Sequence, residues 1–179
     1  MASQGCVRFA FVGAADSASV SISRLAAYRT KVKQIDASGV ERTLAGDYSL
    51  GWGHEAAKRI LQHWSDVDAV VCGNDLIALG VIQEFIKQGR DVPKDVAVTG
   101  CDDSVFSSTS RPSITSVEQP VTVMAVRAIG LLSGHFTNDP VTALLKPKLI
   151  VRESTRRNLE CASTPKRLST SSANQNNEI

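Results

Sequence analysis

The chain has 179 residues, of which 42% are hydrophobic and 21% charged, and its 20 basic and 18 acidic residues give a net charge of +2. This length and composition are typical of one globular domain with a real core, and they exclude a disordered protein. The sequence contains no basic block typical of a nucleic-acid groove, no apolar run long enough to span a bilayer and no secretion signal. We therefore predict an intracellular, cytoplasmic protein.

The first part of the chain predicts a strand, a helix and a second strand. Residues 7–12, reading VRFAFV, are typical of a strand that ends at Gly13. Residues 42–45 predict a short strand that leads into a loop with the aromatic Tyr48. In the helix between these strands, Arg24 lies in the first turns, where the helix dipole disfavours a cation, so Arg24 needs an anionic or polar partner. The apolar stripe of this helix is predicted to be Ile22, Leu25, Tyr28 and Val32.

The stretch from Asp68 to Gly80, DAVVCGNDLIALG, organises the rest of the chain. A helix is predicted before it, from Gly53 to about Trp64, and residues 69–72 are typical of a buried parallel strand. Turn residues then break the strand, and either Asn74 or Asp75 can cap the helix that follows. The apolar positions of that helix are Leu76, Leu79, Ile82, Phe85 and Ile86.

A second buried strand, DVAVTG at 95–100, completes a strand–helix–strand unit. Such a unit implies a parallel sheet, so we predict an α/β fold in which helices flank a parallel sheet. The polar pairs 74–75 and 102–103 then follow two strands at equivalent places. Because ligands bind at the carboxyl ends of the strands in open α/β sheets, this edge is the predicted binding edge.

The remaining sequence predicts three further elements and a tail. Residues 113–117 alternate as a strand, and Pro120 stands where a helix with an apolar stripe would begin. Residues 144–151 predict a late strand. The last segment, 158–179, is rich in Ser, Thr and Asn and is predicted to be disordered.

Catalytic and metal chemistry find no support in the residue pattern. The four cysteines and three histidines have no metal-ligand spacing, so we predict no metal and no cofactor. Asp102 and Asp103 are the only tempting carboxylate pair, but adjacent residues on one segment point apart. No set of nucleophile, base and oxyanion donors is visible, so no residue is predicted to be catalytic and the chain is not expected to be an enzyme.

Three stretches in one order carry a family resemblance: DAVVCGNDLIALGVIQEFIKQGRDVPKDVAVTGCDDS, then RPSITSVEQP, then KLIVREST, with RFAFVG and SRLAAYR before them. Over about residues 5–157 the chain resembles the effector-binding portion of the lactose repressor (LacI/GalR) family of bacterial transcription regulators. The resemblance implies a two-lobed, periplasmic-binding-protein-like fold that binds a small effector, often a sugar, between its lobes. In the family a separate helix-turn-helix reads the operator DNA.

The resemblance also implies a division of the chain. Residues 5–117 would be most of the carboxyl-terminal lobe, without its first strand and helix, and residues 118–145 a return segment that belongs to the other lobe. Residues 146–157 would be the final strand, and 158–179 the tail. Since no helix-turn-helix or hinge helix is present, we expect a fragment that cannot bind an operator by itself.

Two sets of residues acquire expected roles from the resemblance. Positions that face the effector in the family correspond to Arg24, Tyr48, Asn74 and Asp102. The spacing alone leaves another interpretation open, in which Asn74 and Asp102 cap elements and Arg24 is a solvated surface charge. A candidate dimer interface consists of Leu79, Ile82 and Phe106, although a stripe at helical spacing is also typical of core.

We therefore expect the effector-sensing part of a regulator that responds to a sugar or a related small polar metabolite. Its expected partners are the effector and a second copy in a homodimer, with operator DNA bound only through a helix-turn-helix and no membrane partner. The alternative is a sugar-binding protein of a transport system with the same fold.

Overall fold

The computed structural model describes residues 1–15, 19–36, 38–133 and 144–157. The predicted tail (158–179) and residues 134–143 of the predicted return segment lie outside these ranges. The described strands are β1 (Phe9–Ala14), β2 (Thr43–Gly46), β3 (Ala69–Cys72), β4 (Ala97–Thr99), β5 (Ser116–Glu118) and β6 (Lys148–Ile150). The described helices are α1 (Ser19–Val32), α2 (Leu50–His63), α3 (Asp75–Lys87), α4 (Val105–Thr109) and α5 (Val121–Leu132).

The first four strands form one parallel sheet in the order β2-β1-β3-β4. Strands β5 and β6 form a separate antiparallel ribbon. Isolated bridges from Thr99 to Thr115 and from Asp102 to Glu118 connect this ribbon to the segment that leaves β4. The predicted α/β fold, with a parallel sheet flanked by helices, is confirmed.

Helices α2 and α3 cover one face of the parallel sheet. Gly53 and Gly80 lie where the two helices touch, because a Cβ on Gly80 would stand 2.3 Å from the carbonyl oxygen of Leu50. Glycine at both positions therefore permits the close approach of the helices. The core between the sheet and this helix pair includes Val12, Ile60, Val70, Ile77, Val81 and Phe85.

Helix α1 packs on the opposite face of the sheet. Its Tyr28 stacks obliquely on Phe11, with ring centroids 5.3 Å apart, and the Tyr28 hydroxyl donates to the carbonyl of Phe9 at 3.0 Å. Beside α1 lies a cavity of about 460 Å³ whose lining includes Phe9, Phe11, Val32, Val71, Val117 and Leu149. Within the described residues, α1 therefore covers only part of this face of the sheet.

On α1 and α3, the predicted apolar stripe differs in part from the residues that are buried. On α1, Tyr28 and Val32 are buried as predicted, but Ile22 is exposed. On α3, Ile82 and Phe85 are buried as predicted, whereas Ile86 is exposed. The spacing misplaced the rest of the α3 stripe by one position, because residues 76–82 are apolar around nearly the whole helix. The positions actually buried there include Ile77, Ala78 and Val81.

Helix α5 begins after Pro120, as predicted, but none of its residues is buried. Its apolar side chains, which include Val126 and Ile129, are exposed in the described part of the chain. No helix in that part is both long and apolar enough to cross a membrane.

Arg157 ties the amino ends of β3 and β4 together. Its guanidinium donates to the carbonyl oxygens of Asp68 at 3.0 Å, Asp95 at 2.9 Å and Pro93 at 2.9 Å. Its backbone N–H donates to the side chain of Gln4 at 2.9 Å. Because one side chain satisfies three carbonyls, Arg157 anchors the edge of the sheet opposite to the predicted binding edge.

Candidate functional site

The structure brings Arg24, Tyr48, Asn74 and Asp102 to the carboxyl ends of the parallel strands, and we call this group the rim. Arg24 extends from α1 to the carbonyl oxygen of Gly73, just beyond β3, at 2.6 Å. It also lies 3.6 Å from the Asp102 carboxylate, which follows β4. The Asn74 amide donates to the carbonyl of Tyr48 at 3.4 Å. The four residues therefore surround one edge of the sheet.

Arg24 has the partner that its place in the first turns of a helix required. Its side chain is 25% exposed, and its two terminal nitrogens contact Gly73 and Asp102 separately. A guanidinium is a planar fork of donors, so this arrangement fixes its orientation as well as its charge. The interpretation of Arg24 as a solvated surface charge is therefore wrong.

Asp102 is not a helix cap. Its backbone is left-handed, with φ 111°, and its N–H donates to Val117 at 2.9 Å. The side-chain amide of Gln119 donates to the carboxylate at 2.5 Å. Partial burial raises the pKa of Asp102 above its ordinary value, although Gln119 and Arg24 both act to lower it. Gln119 and Arg24 thus hold the carboxylate in place, but their contacts do not fully offset the desolvation of its charge.

Asn74 caps α3, so the capping interpretation is right for this residue. Its side-chain oxygen accepts from the backbone N–H of Ile77 at 2.8 Å. Its amide nitrogen still faces Tyr48 and has a second hydrogen to donate. Capping therefore orients the Asn74 side chain without using all of its hydrogen-bonding capacity.

Sequence reasoning missed three residues that contact the rim or its strands. The Ser21 and Tyr48 hydroxyls share a short hydrogen bond, and the indole of Trp52 donates to the carbonyl of Gly13 at 3.0 Å. Gln119, from the segment after β5, holds Asp102. Ser21 stands three residues before Arg24 on the same helix, a spacing that signals a shared face. No local signal marks Trp52 or Gln119.

Asp75 is neither the cap of α3 nor a rim residue. It is buried, and its two oxygens accept from the Ser104 N–H and the Ser116 hydroxyl, both at 2.6 Å. The predicted capping role of Asp75 is therefore wrong, because Asn74 is the cap. Its carboxylate instead connects the start of α3 to the segment after β4 and to β5.

The candidate dimer residues do not share one exposed surface. Ile82 is 1% exposed and lies in the core, so it offers no surface to a second copy, and this part of the expectation is wrong. Leu79 is half-buried against the same core, and Phe106 is 43% exposed. Helix α3 turns Ile82 toward the sheet together with Phe85.

The cavity beside α1 differs chemically from the rim. Arg24 lies at its boundary, but most of its lining is apolar. A polar ligand would lose hydrogen bonds to water there without replacing them. The rim offers a carboxylate, an amide, a guanidinium and a hydroxyl, so it is the place suited to a polar ligand. In the described residues, no three metal-ligating side chains cluster.

A family model for periplasmic binding protein-like domains matches residues 1–155. The chain belongs to this family. The match covers every described element of the sheet and both strands of the ribbon, in agreement with the fold.

The relatives are transcriptional regulators of the LacI family, so the resemblance found in the sequence is confirmed. The regulator CelR of Thermobifida fusca is 35% identical over 154 residues, which are 82% of this chain and 44% of CelR. The ribose operon repressor of Escherichia coli K12 is 34% identical over 117 residues, 64% of this chain and 35% of the repressor. The chain thus spans less than half the length of these relatives.

Solved structures of such regulators share the fold. A complex of CelR with cellobiose has a TM-score of 0.73 and 33% identity, covering 85% of this chain and 48% of that one. A sugar-binding LacI-family regulator from Escherichia coli, solved with phosphate, has a TM-score of 0.73 and 30% identity, covering 85% of this chain and 56% of that one.

Proposed function

We propose that this chain is the sugar-sensing part of a LacI-family transcription regulator and that the rim binds the sugar. The observation that carries the proposal is the pairing of Arg24 with Asp102 where two neighbouring strands end. The similarity to a regulator solved with cellobiose supports a sugar as the ligand class.

The rim has the chemistry that a polyol needs. The Asp102 carboxylate can accept hydrogen bonds from two adjacent hydroxyls, and the Arg24 guanidinium and the Asn74 amide can donate to their oxygens. The aromatic face of Tyr48 would cover the apolar side of a sugar ring. Because Asp102 already contacts Arg24 and Gln119, its acceptor oxygens are oriented before a ligand arrives.

We further propose that the sugar acts by a population shift. Residues 5–117 would be most of one lobe, residues 118–145 a return segment of a second lobe, and residues 146–157 the final strand. A sugar that binds better to the closed lobes than to the open ones favours closure, and in a homodimer this would change the spacing of DNA-binding segments outside residues 1–155. The names of the relatives favour this cytoplasmic regulator over a transport protein or an enzyme.

A binding experiment on the intact protein tests the ligand class. Calorimetry and thermal shift would be carried out with cellobiose, maltose and ribose, and at least one sugar should bind and raise the melting temperature. Asp102→Asn removes a charged acceptor but keeps the shape, and it should weaken binding about 10- to 100-fold. Asp66→Asn removes a carboxylate from an exposed ion pair with Arg8 and should leave the affinity unchanged.

Failure has two distinguishable forms. If none of the three sugars binds, the proposed ligand class is wrong. If a sugar binds equally well to the Asp102 and Asp66 variants, the ligand class stands but the rim is not its site.

A further inference from the structure

The segment that carries Asp102 has a strained backbone. Asp102 and the next residue, Asp103, have φ angles of 111° and 53°. These angles lie in the left-handed region, which residues other than glycine rarely adopt. Two such residues in succession persist only when their surroundings hold them. The contacts of this segment therefore determine where the Asp102 carboxylate stands.

One set of contacts comes from the buried Asp75. Besides accepting from Ser104, its carboxylate accepts from the Ser116 hydroxyl, and that hydroxyl in turn accepts from the N–H of Asp103 at 3.0 Å. Gly100 leaves room for this arrangement, since a Cβ there would stand 2.2 Å from the Asp75 carboxylate. Asp75 thus holds the strained segment by its backbone.

A second set comes from Arg152, immediately beyond the β5–β6 ribbon. Its guanidinium lies 2.6 Å from the Asp103 carboxylate and donates to the Ile114 carbonyl at 2.8 Å and to the Ser107 hydroxyl at 3.1 Å. The Ser107 hydroxyl also donates to Asp103 at 2.9 Å. The side chains of Arg152 and Asp103 are both 18% exposed, so their ion pair is only weakly screened by water.

Arg152 is itself fixed to the ribbon. Its backbone N–H donates to the Thr115 hydroxyl at 2.8 Å, and that hydroxyl donates to the Arg152 carbonyl at 3.1 Å. Arg152 therefore joins three parts of the molecule: the final strand, the residues that lead into β5, and the segment that carries Asp102. Within the described part of the chain, Arg152 forms no hydrogen bond or ion pair with Arg24 or Asp102.

We propose that Arg152 is a positioning residue for the sugar site: by holding Asp103 against the β5–β6 ribbon, it sets the place of the Asp102 carboxylate. The inference rests on the proposed function, in which Asp102 contacts the sugar. A movement of the ribbon would then change the geometry of the rim through Arg152, without any contact between Arg152 and the ligand.

Sugar affinity in the intact protein provides the first test. Whichever of cellobiose, maltose and ribose binds the unchanged protein is titrated into Arg152→Gln, Asp103→Asn and the double variant. Each single variant should weaken binding roughly tenfold, as expected for the loss of one charged interaction. The double variant should be no weaker than either single one, because both changes break the same link. Arg152→Lys keeps the charge but not the fork, and its affinity should lie between those of Arg152→Gln and the unchanged protein.

Hydrogen exchange provides a second test that needs no ligand. The N–H groups of Asp102, Asp103 and Ser104 should exchange about tenfold faster in Arg152→Gln, relative to the N–H of Gly73, which is bonded to Val12 within the sheet. Arg157→Gln is the matched control, because it removes an arginine that binds three carbonyls at the opposite edge. It should lower stability without changing the sugar affinity or the ratio of exchange rates.

The outcomes separate the two proposals. Unchanged exchange ratios in Arg152→Gln would show that Arg152 does not hold the segment, whatever the sugar does. Faster exchange with unchanged affinity would show that the segment moves without affecting binding, and this also overturns the positioning role. If no sugar binds the unchanged protein, the proposed function fails, and the positioning inference that rests on it falls as well, while the exchange ratios still report whether Arg152 orders the segment.

Discussion

A partly buried carboxylate such as Asp102 has opposite effects on binding and on stability. Burial raises its pKa despite the nearby Arg24 and Gln119, so at neutral pH its ionised form costs the folded protein free energy. In the proposed sugar site, the same charge would make Asp102 a strong acceptor for sugar hydroxyls. If the proposed function is right, Asp102 therefore lowers the stability of the folded protein and increases its affinity for the sugar.

Asp102→Asn should raise the free energy of unfolding at pH 7. An acid whose folded pKa is raised binds its proton more tightly in the folded state, so it loses stability as the pH rises from its unfolded to its folded pKa. Asparagine resembles the protonated form, so the gain should be present at pH 7 and shrink as the pH falls toward the ordinary pKa of Asp. Urea denaturation at several pH values measures this. A loss of stability at pH 7 would contradict the prediction.

Two variants of Asn74 separate the contribution of its helix cap to stability from the contribution of its amide to sugar binding. Asn74→Ala removes the acceptor for the Ile77 N–H and should cost about 0.5–2 kcal/mol of stability. Asn74→Asp keeps the cap but replaces the donor to the Tyr48 carbonyl by an oxygen, so it should lose less stability than Asn74→Ala and should weaken sugar binding. Chemical denaturation and calorimetry on both variants distinguish the two contributions. Equal sugar affinity in Asn74→Asp and the unchanged protein would restrict Asn74 to a structural role.

At the scale of elements, the strand–helix–strand pattern was enough to predict the parallel sheet and the edge where polar residues meet. The buried face of α3 was predictable at Ile82 and Phe85 but not at residues 76–81, because these are apolar on nearly every side and only the packing of α2 selects a face. The roles of Asp75 and Gln119 depend on residues more than 15 positions away along the chain. No local pattern contains such contacts.

The contact between α2 and α3 depends on the absence of side chains. Gly80→Ala would place a methyl group 2.3 Å from the Leu50 carbonyl, and we expect it to cost about 1–3 kcal/mol through displacement of the helices. Gly51→Ala, on the exposed side of α2, meets nothing closer than 3.7 Å and should stabilise by up to about 1 kcal/mol. Thermal denaturation measures both. A neutral Gly80→Ala would show that the helices can separate freely.

At the scale of the whole molecule, two groups of apolar residues have opposite environments. One lies between the sheet and the α2–α3 pair, and the other lies on α5, where no residue is buried. The helical members of the first group, such as Ile77, Val81 and Phe85, and the apolar residues of α5 both have helical spacing. The sequence pattern of each therefore predicts an apolar face, but only the fold determines which face becomes core.

Matched isoleucine truncations measure this difference. Ile82→Ala opens a cavity in the core and should cost about 2–5 kcal/mol. Ile129→Ala, at a position that is 64% exposed, should change stability by less than about 0.5 kcal/mol. Urea titrations of both variants provide the comparison. If Ile129→Ala is as costly as Ile82→Ala, α5 is covered in solution by a surface that its described surroundings do not supply.

Because Arg157 donates to three backbone carbonyls, it sets a limit on how far the protein can be shortened from its carboxyl terminus. A nonsense codon just ahead of position 157 would leave the carbonyls of Asp68, Pro93 and Asp95 without this donor, and the amino ends of β3 and of the edge strand β4 would fray. A codon just behind it would spare all three bonds. A single arginine thus marks the boundary between trimming that the sheet tolerates and trimming that loosens it.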